Sequence, residues 1–146
     1  MHEFGFRGLL VEVLAAVSRD ASELYRDAGV ALGVVDVGFD VDGEEFLVET
    51  GTDGGLVCRD GRDREPRIRL ETRASALVTL VDGNRDLIES VLDDTVRVRG
   101  DLEAVASLDE ALRCLVVGAV RSDRAERAWR RYVAGIGGAS KKGESK

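Results

Sequence analysis

The sequence predicts an α+β domain, and three observations carry that prediction. Apolar residues recur at helical spacing near the N-terminus, alternate with polar residues through the middle of the chain, and return to helical spacing after Asp101. The join between the sheet-forming and helical parts is Val96-Arg97-Val98-Arg99-Gly100-Asp101. Val96 and Val98 share one side of a period-two strand and Arg97 and Arg99 the other, so the valines are dry and the arginines wet. Gly100 can take the positive φ that a sharp exit requires, and Asp101 can accept hydrogen bonds from the free N–H groups of the turn that follows.

Taken in order, Phe6, Leu10, Val13, Leu14, Val17, Ala21 and Leu24 place one apolar face on a helix over about residues 4–27, which Gly29 closes. Val35, Val37, Phe39 and Val41 alternate with Val34, Asp36, Gly38 and Asp40 as a strand with one dry face. Asp42-Gly43 tolerates positive φ and supplies a tight hairpin turn into a returning strand over 44–50. Gly51-Thr52-Asp53-Gly54-Gly55 is a second turn, leading to a strand over 56–59 and a third turn at Asp60-Gly61. A charged loop then ends on Pro66, the only proline, and Arg67-Ile68-Arg69-Leu70-Glu71 alternates again, which completes a meander of about four strands. Ala74, Ala76, Val78 and Leu80 prolong the alternation, so a bulge or break near Arg73 joins two strand pieces.

Residues 82–94 read as a helix capped by Asp82 or Asn84, with Leu87, Ile88, Val91 and Leu92 as a narrow apolar stripe. Beyond the Gly-Asp corner, Ser107-Leu108-Asp109-Glu110 has the form of a capping box, so a largely buried helix restarts there. Ser122-Asp123 starts a last helix carrying Trp129, Tyr132, Val133 and Ile136. The polar, Gly/Ser/Lys-rich residues 137–146 read as a disordered tail, which leaves 1–136 as a single domain.

A chain of 146 residues can bury one substantial core without disulfides. Cys58 and Cys114 form neither a metal spacing nor a redox motif and read as small buried hydrophobes. No stretch reaches 18 apolar residues and no signal sequence opens the chain, so there is no transmembrane segment and the expected compartment is the cytoplasm. The net charge of −7 argues against nucleic acid and anionic membrane surfaces as partners. With His2 the only histidine, a histidine triad and a conventional zinc site are excluded. The glycines of 51–55 lack the lysine and following helix of a phosphate loop, and the acid pairs Asp40/Asp42 and Asp93/Asp94 lack calcium-loop spacing. No metal, no cofactor and no catalytic residue is therefore assigned. Arg121, Arg124, Arg127, Arg130 and Arg131 form a basic stripe that reads as a solvated face balanced by Asp123 and Glu126.

An N-terminal helix, a strand meander, a helix, a strand ending Gly-Asp and closing helices resembles the sterol carrier protein type 2 family. The resemblance spans Phe4 to about Tyr132. It is most specific at Leu87-Ile88-Glu89-Ser90-Val91-Leu92 followed by Val96-Arg97-Val98-Arg99-Gly100-Asp101, which is similar to the family's helix and its Gly-Asp strand. Gly118-Ala119-Val120-Arg121-Ser122 resembles the bacterial stand-alone members. The sequence departs from the family where only Asp93-Asp94-Thr95 separate Leu92 from Val96, a shortened connection expected to reshape one wall of the implied cavity. The resemblance implies a five-stranded, mostly antiparallel sheet with helices on one face and an apolar cavity between them. Phe39, Phe46, Val48, Ile88, Val91, Leu112, Leu115, Val116, Trp129 and Tyr132 are the residues expected to line it.

What such a cavity implies is a carrier or accessory protein for an apolar, lipid-like molecule of fatty acyl, isoprenoid, sterol or polyketide type. Burying ten methylenes at about 0.8 kcal/mol each supplies roughly 8 kcal/mol before association costs, so binding needs no diagnostic polar residue. The alternative is a small cofactor-independent isomerase, cyclase or dehydratase acting on a hydrophobic intermediate, with Tyr132, Tyr25 or Asp82 in proton transfer. A third reading places a second copy of the chain on the apolar helix faces, as a homodimer.

Overall fold

Asp42 and Gly43 adopt φ of 54° and 88°, the left-handed pair that a two-residue hairpin uses. They fold β1 (Val37–Val41) onto β2 (Glu44–Thr50) with Phe39 opposite Phe46 and Val37 opposite Val48. The computed structural model describes residues 5–60, 65–82, 89, 91 and 94–144, and in it β3 (Leu56–Arg59) extends the hairpin on the far side of β2. The meander stops there. β4 (Ile68–Thr72) pairs parallel with β1, and β5 (Val96–Arg99) pairs antiparallel with β4. The order β3-β2-β1-β4-β5 is the expected five-stranded, mostly antiparallel sheet, but with a crossover in place of a fourth meander strand.

That crossover runs against β1 through a tertiary contact. Pro66 lies on Gly38, where an added Cβ would come within 2.7 Å of the proline Cγ, so only a glycine lets the connection pass this close to β1. Leu47, the register partner of Gly38, is 2% exposed although it points away from the inner face that Phe46 and Val48 share. The inner face is mostly apolar, with Val37, Phe39, Val41, Phe46, Val48, Ile68, Leu70 and Val96 all buried.

Among the described residues, five helices with defined ends cover that face or build on those that do. The single N-terminal helix expected from periodicity is two, α1 (Phe6–Asp20) and α2 (Ser22–Leu32), broken where Ala21 takes φ −144° and ψ 59°. No local breaker marks the site. The Asp20 carboxylate accepts a 2.6 Å hydrogen bond from Ser122 Oγ, which pins the end of α1 to a point 102 residues away in sequence. Gly29 does not end the helix. It is buried inside α2 against the turn between β2 and β3, where an added Cβ would lie 2.5 Å from the Gly54 carbonyl oxygen, and Gly33 at φ 61° closes the helix instead.

The segment read as a second strand piece after Arg73 is α3 (Ala74–Asp82). Asp42 Oδ2 accepts from the Ala74 N–H at 3.2 Å and Thr79 Oγ1 donates back to the Ser75 carbonyl at 3.2 Å. Ala74 and Leu77 are the buried residues, a helical and not a period-two spacing. Asp82 closes this helix. Of the helix expected over 82–94, Glu89 and Val91 are helical, while Asn84, Leu87, Ile88 and Leu92 lie outside the described residues.

α4 (Leu102–Val120) starts directly after β5, with Asp101 as its N-cap accepting from the Ala104 N–H at 3.2 Å. The capping-box pattern at Ser107 therefore lies inside a helix already under way, because Ala104, Leu108 and Ala111 form a buried ridge that starts one turn earlier. Ser122 caps α5 (Asp123–Glu144) as expected, accepting from Ala125 N–H at 3.2 Å. The helix continues beyond Ile136, into the stretch that composition assigns to a tail. Among the described residues no helix is long and apolar enough to cross a membrane. Cys58 and Cys114 are free thiols, both half-buried, and burial raises the pKa of each.

Candidate functional site in the aromatic interior

The interior between sheet and helices is centred on aromatic rings. Phe39 and Phe46, brought opposite each other by the β1–β2 register, stack with centroids 5.2 Å apart and planes 5° apart. Phe6 from the start of α1 stands 6.0 Å from each and 6.1 Å from Tyr132 of α5, and Trp129 lies 6.1 Å from Tyr132. Four elements, α1, β1, β2 and α5, thus meet at one apolar spot. Such offset and tilted ring pairs add about 0.5–1.5 kcal/mol each beyond the area they bury.

The expected lining residues distribute as follows. Phe39, Phe46, Val48 and Tyr132 are buried in this cluster, and Val91, Leu112, Leu115 and Trp129 pack against it half-buried. Val116 is half-buried outside it, and Ile88 lies outside the described residues. Phe6, absent from the expected set, stands among the rings; its place at the head of the α1 periodicity was the signal available for it.

The polar groups offered for proton transfer are occupied differently. Tyr25 Oη accepts from the Leu56 N–H at 2.9 Å and so ties α2 to β3. Burial first, then the nearby carboxylates of Asp42 and Glu44, push the Tyr132 phenol up to about 12, so it is neutral at ordinary pH and a weaker proton donor than a free phenol. Of the side chain of Asp82 the described residues say nothing. Among them no group of three or more His, Cys, Asp or Glu is placed to hold a metal ion.

Two further polar arrangements sit at the β4–β5 side of the sheet. At the Gly-Asp corner Arg67 binds Asp101 through two hydrogen bonds of 3.0 and 2.9 Å, and its backbone N–H donates to Asp36 Oδ1 at 2.8 Å. The Arg67 hydrogen bonds hold the Asp101 carboxyl down to about 2. A groove of about 260 Å³ opens along β4 and β5, lined by Arg69, Glu71, Arg97 and Arg99 together with Val91, Asp94, Val96 and Val98. It lies apart from the aromatic cluster, and of the expected ligand residues only Val91 borders it.

No protein-family model matches the sequence, and no curated protein matches it. Solved structures do match its fold. A UbiJ-SCP2 ubiquinone synthesis protein superposes with a TM-score of 0.54 at 17% identity, over 81% of this chain and 98% of that one. Sterol carrier protein 2 from Yarrowia lipolytica, in its apo form, gives 0.55 at 15% identity over 79% and 98%. The sterol carrier protein domain 2 of Helicoverpa armigera gives 0.53 at 14% over 77% and 87%. The chain has the sterol carrier protein 2 fold.

Proposed function

We propose that this chain is a cytoplasmic carrier or accessory protein that takes an apolar, lipid-like molecule of fatty acyl, isoprenoid, sterol or polyketide type between its sheet and its helices. The observation that carries the reading is the superposition of about four fifths of the chain on nearly the whole of sterol carrier domains. The aromatic interior supports it. Its rings come from α1, β1, β2 and α5, so sheet and helices both supply apolar surface to a chain-like molecule held between them. Dispersion and burial are the forces available there, and both are indifferent to ligand class. The two free thiols are consistent with a reducing compartment.

Native mass spectrometry of freshly purified protein tests the proposal, with the co-purifying mass naming the ligand class. A protein that emerges unliganded and takes up neither a fluorescent fatty acid nor any component of a lipid extract refutes it.

A further inference from the structure

The geometry points to a phosphate-binding site in the groove on the outer side of β4 and β5, built by Arg69 and Arg99 with Arg97 beside them. Arg69 and Arg99 are direct register partners on neighbouring strands, and both line the groove. Like charges placed directly opposite on a sheet destabilise it. None of Arg69, Arg97 and Arg99 forms an ion pair with any described residue. Glu71 is the register partner of Arg97 and shares its face, so Arg97 has an acid across from it and the pair left uncompensated is Arg69 with Arg99. Asp94 also lines the groove.

Charge and donor geometry select the ligand. Arg69, Arg97 and Arg99 against Glu71 and Asp94 leave the groove lining with one positive charge in excess, which favours an anion. Guanidinium groups also offer paired N–H donors that match phosphate oxygens two at a time. The phosphate has two sources, a free small molecule or the head group of a lipid whose tail passes Val91, since Val91 borders both the groove and the buried core.

Calorimetric titration of the full chain at low salt with inorganic phosphate, dodecyl phosphate and dodecanol tests this, alongside Arg69→Gln and Arg99→Gln. Binding of a phosphate probe that weakens at least tenfold in either variant is the expected result. Dodecyl phosphate binding at least tenfold tighter than inorganic phosphate identifies a lipid head group; equal affinities identify a free phosphate site. The free Arg99→Gln protein should melt at a higher temperature than the parent, because repulsion is removed, while phosphate raises the melting temperature of the parent only. Absence of binding by both phosphates, or affinities within twofold in both variants, overturns the site. Tight dodecanol binding that ignores the substitutions overturns it too and leaves the carrier reading standing. Self-association of Arg99→Gln with a lowered melting temperature overturns it in favour of edge protection of β5.

Discussion

Gly100 and Asp101 show how much one dipeptide can decide. Gly100 sits at φ 153°, and an added Cβ would stand 3.0 Å from the Arg67 carbonyl oxygen and 3.2 Å from Ile68 Cγ1. A β-branched residue meets both strain and crowding, so Gly100→Val is expected to cost more than about 1 kcal/mol in a denaturant melt. Asp101 carries a pH dependence. Its carboxyl lies at about 2 against an ordinary 3.8, so the folded state binds the proton less readily than the unfolded one. The stabilisation is complete above about pH 4 and lost as pH falls through about 2. Thermal melts between pH 5 and 2 should show a steeper acid loss in the parent than in Asp101→Asn; parallel curves would mean that the Arg67 pairing contributes nothing. The cap and the glycine exit were legible in the sequence, whereas the Arg67 partner was not, because it comes from the bend before β4, 34 residues away.

At the scale of elements, the errors of sequence reading have a common origin in contacts that local patterns do not contain. Period-two alternation marked β1, β4 and β5, and the turn residues on either side marked β2 and β3, where the outward-facing but buried Leu47 breaks the alternation. The same alternation through Ala74, Ala76, Val78 and Leu80 misled, because small and aliphatic residues fit either period and the deciding group is the Asp42 carboxylate at the Ala74 N–H. Asp42→Ala removes that cap and places a Cβ-only side chain at φ 54° in the hairpin. A loss of about 1–2 kcal/mol is expected, measured by urea melts. Gly29 misled in a parallel way. A glycine near a helix end reads as a terminator, yet here it permits a 2.5 Å approach to the Gly54 carbonyl. Gly29→Ala, favourable by about 1 kcal/mol in an isolated helix, should instead destabilise by about 1–3 kcal/mol as α2 is pushed off the turn. A neutral or stabilising outcome would show that the turn yields freely.

For the whole molecule, the fold class and the inner face were legible because burial of one sheet face imposes a pattern on every strand. The crossover of β4 to the side of β1 was not, since strand order depends on where the connection runs and Pro66 on Gly38 is a tertiary contact. The interior is a harder case. Apolar residues look alike as core or as lining, and Phe39 and Phe46 stacked at 5.2 Å serve either role. Ligand binding separates the roles because a ligand that binds only the folded chain stabilises it by mass action. At a concentration one hundred times the dissociation constant the gain is about 2.7 kcal/mol, which for a domain of this size corresponds to a melting temperature raised by roughly 5–10 °C. Delipidated protein should therefore melt lower than freshly purified protein and recover when the co-purified lipid is returned. Phe39→Ala, which removes a ring from the centre of the interior, should lower the melting temperature of the free protein and change the affinity for that lipid. If delipidated and fresh protein melt together, and added lipid shifts neither, the rings are packing alone and the carrier reading falls.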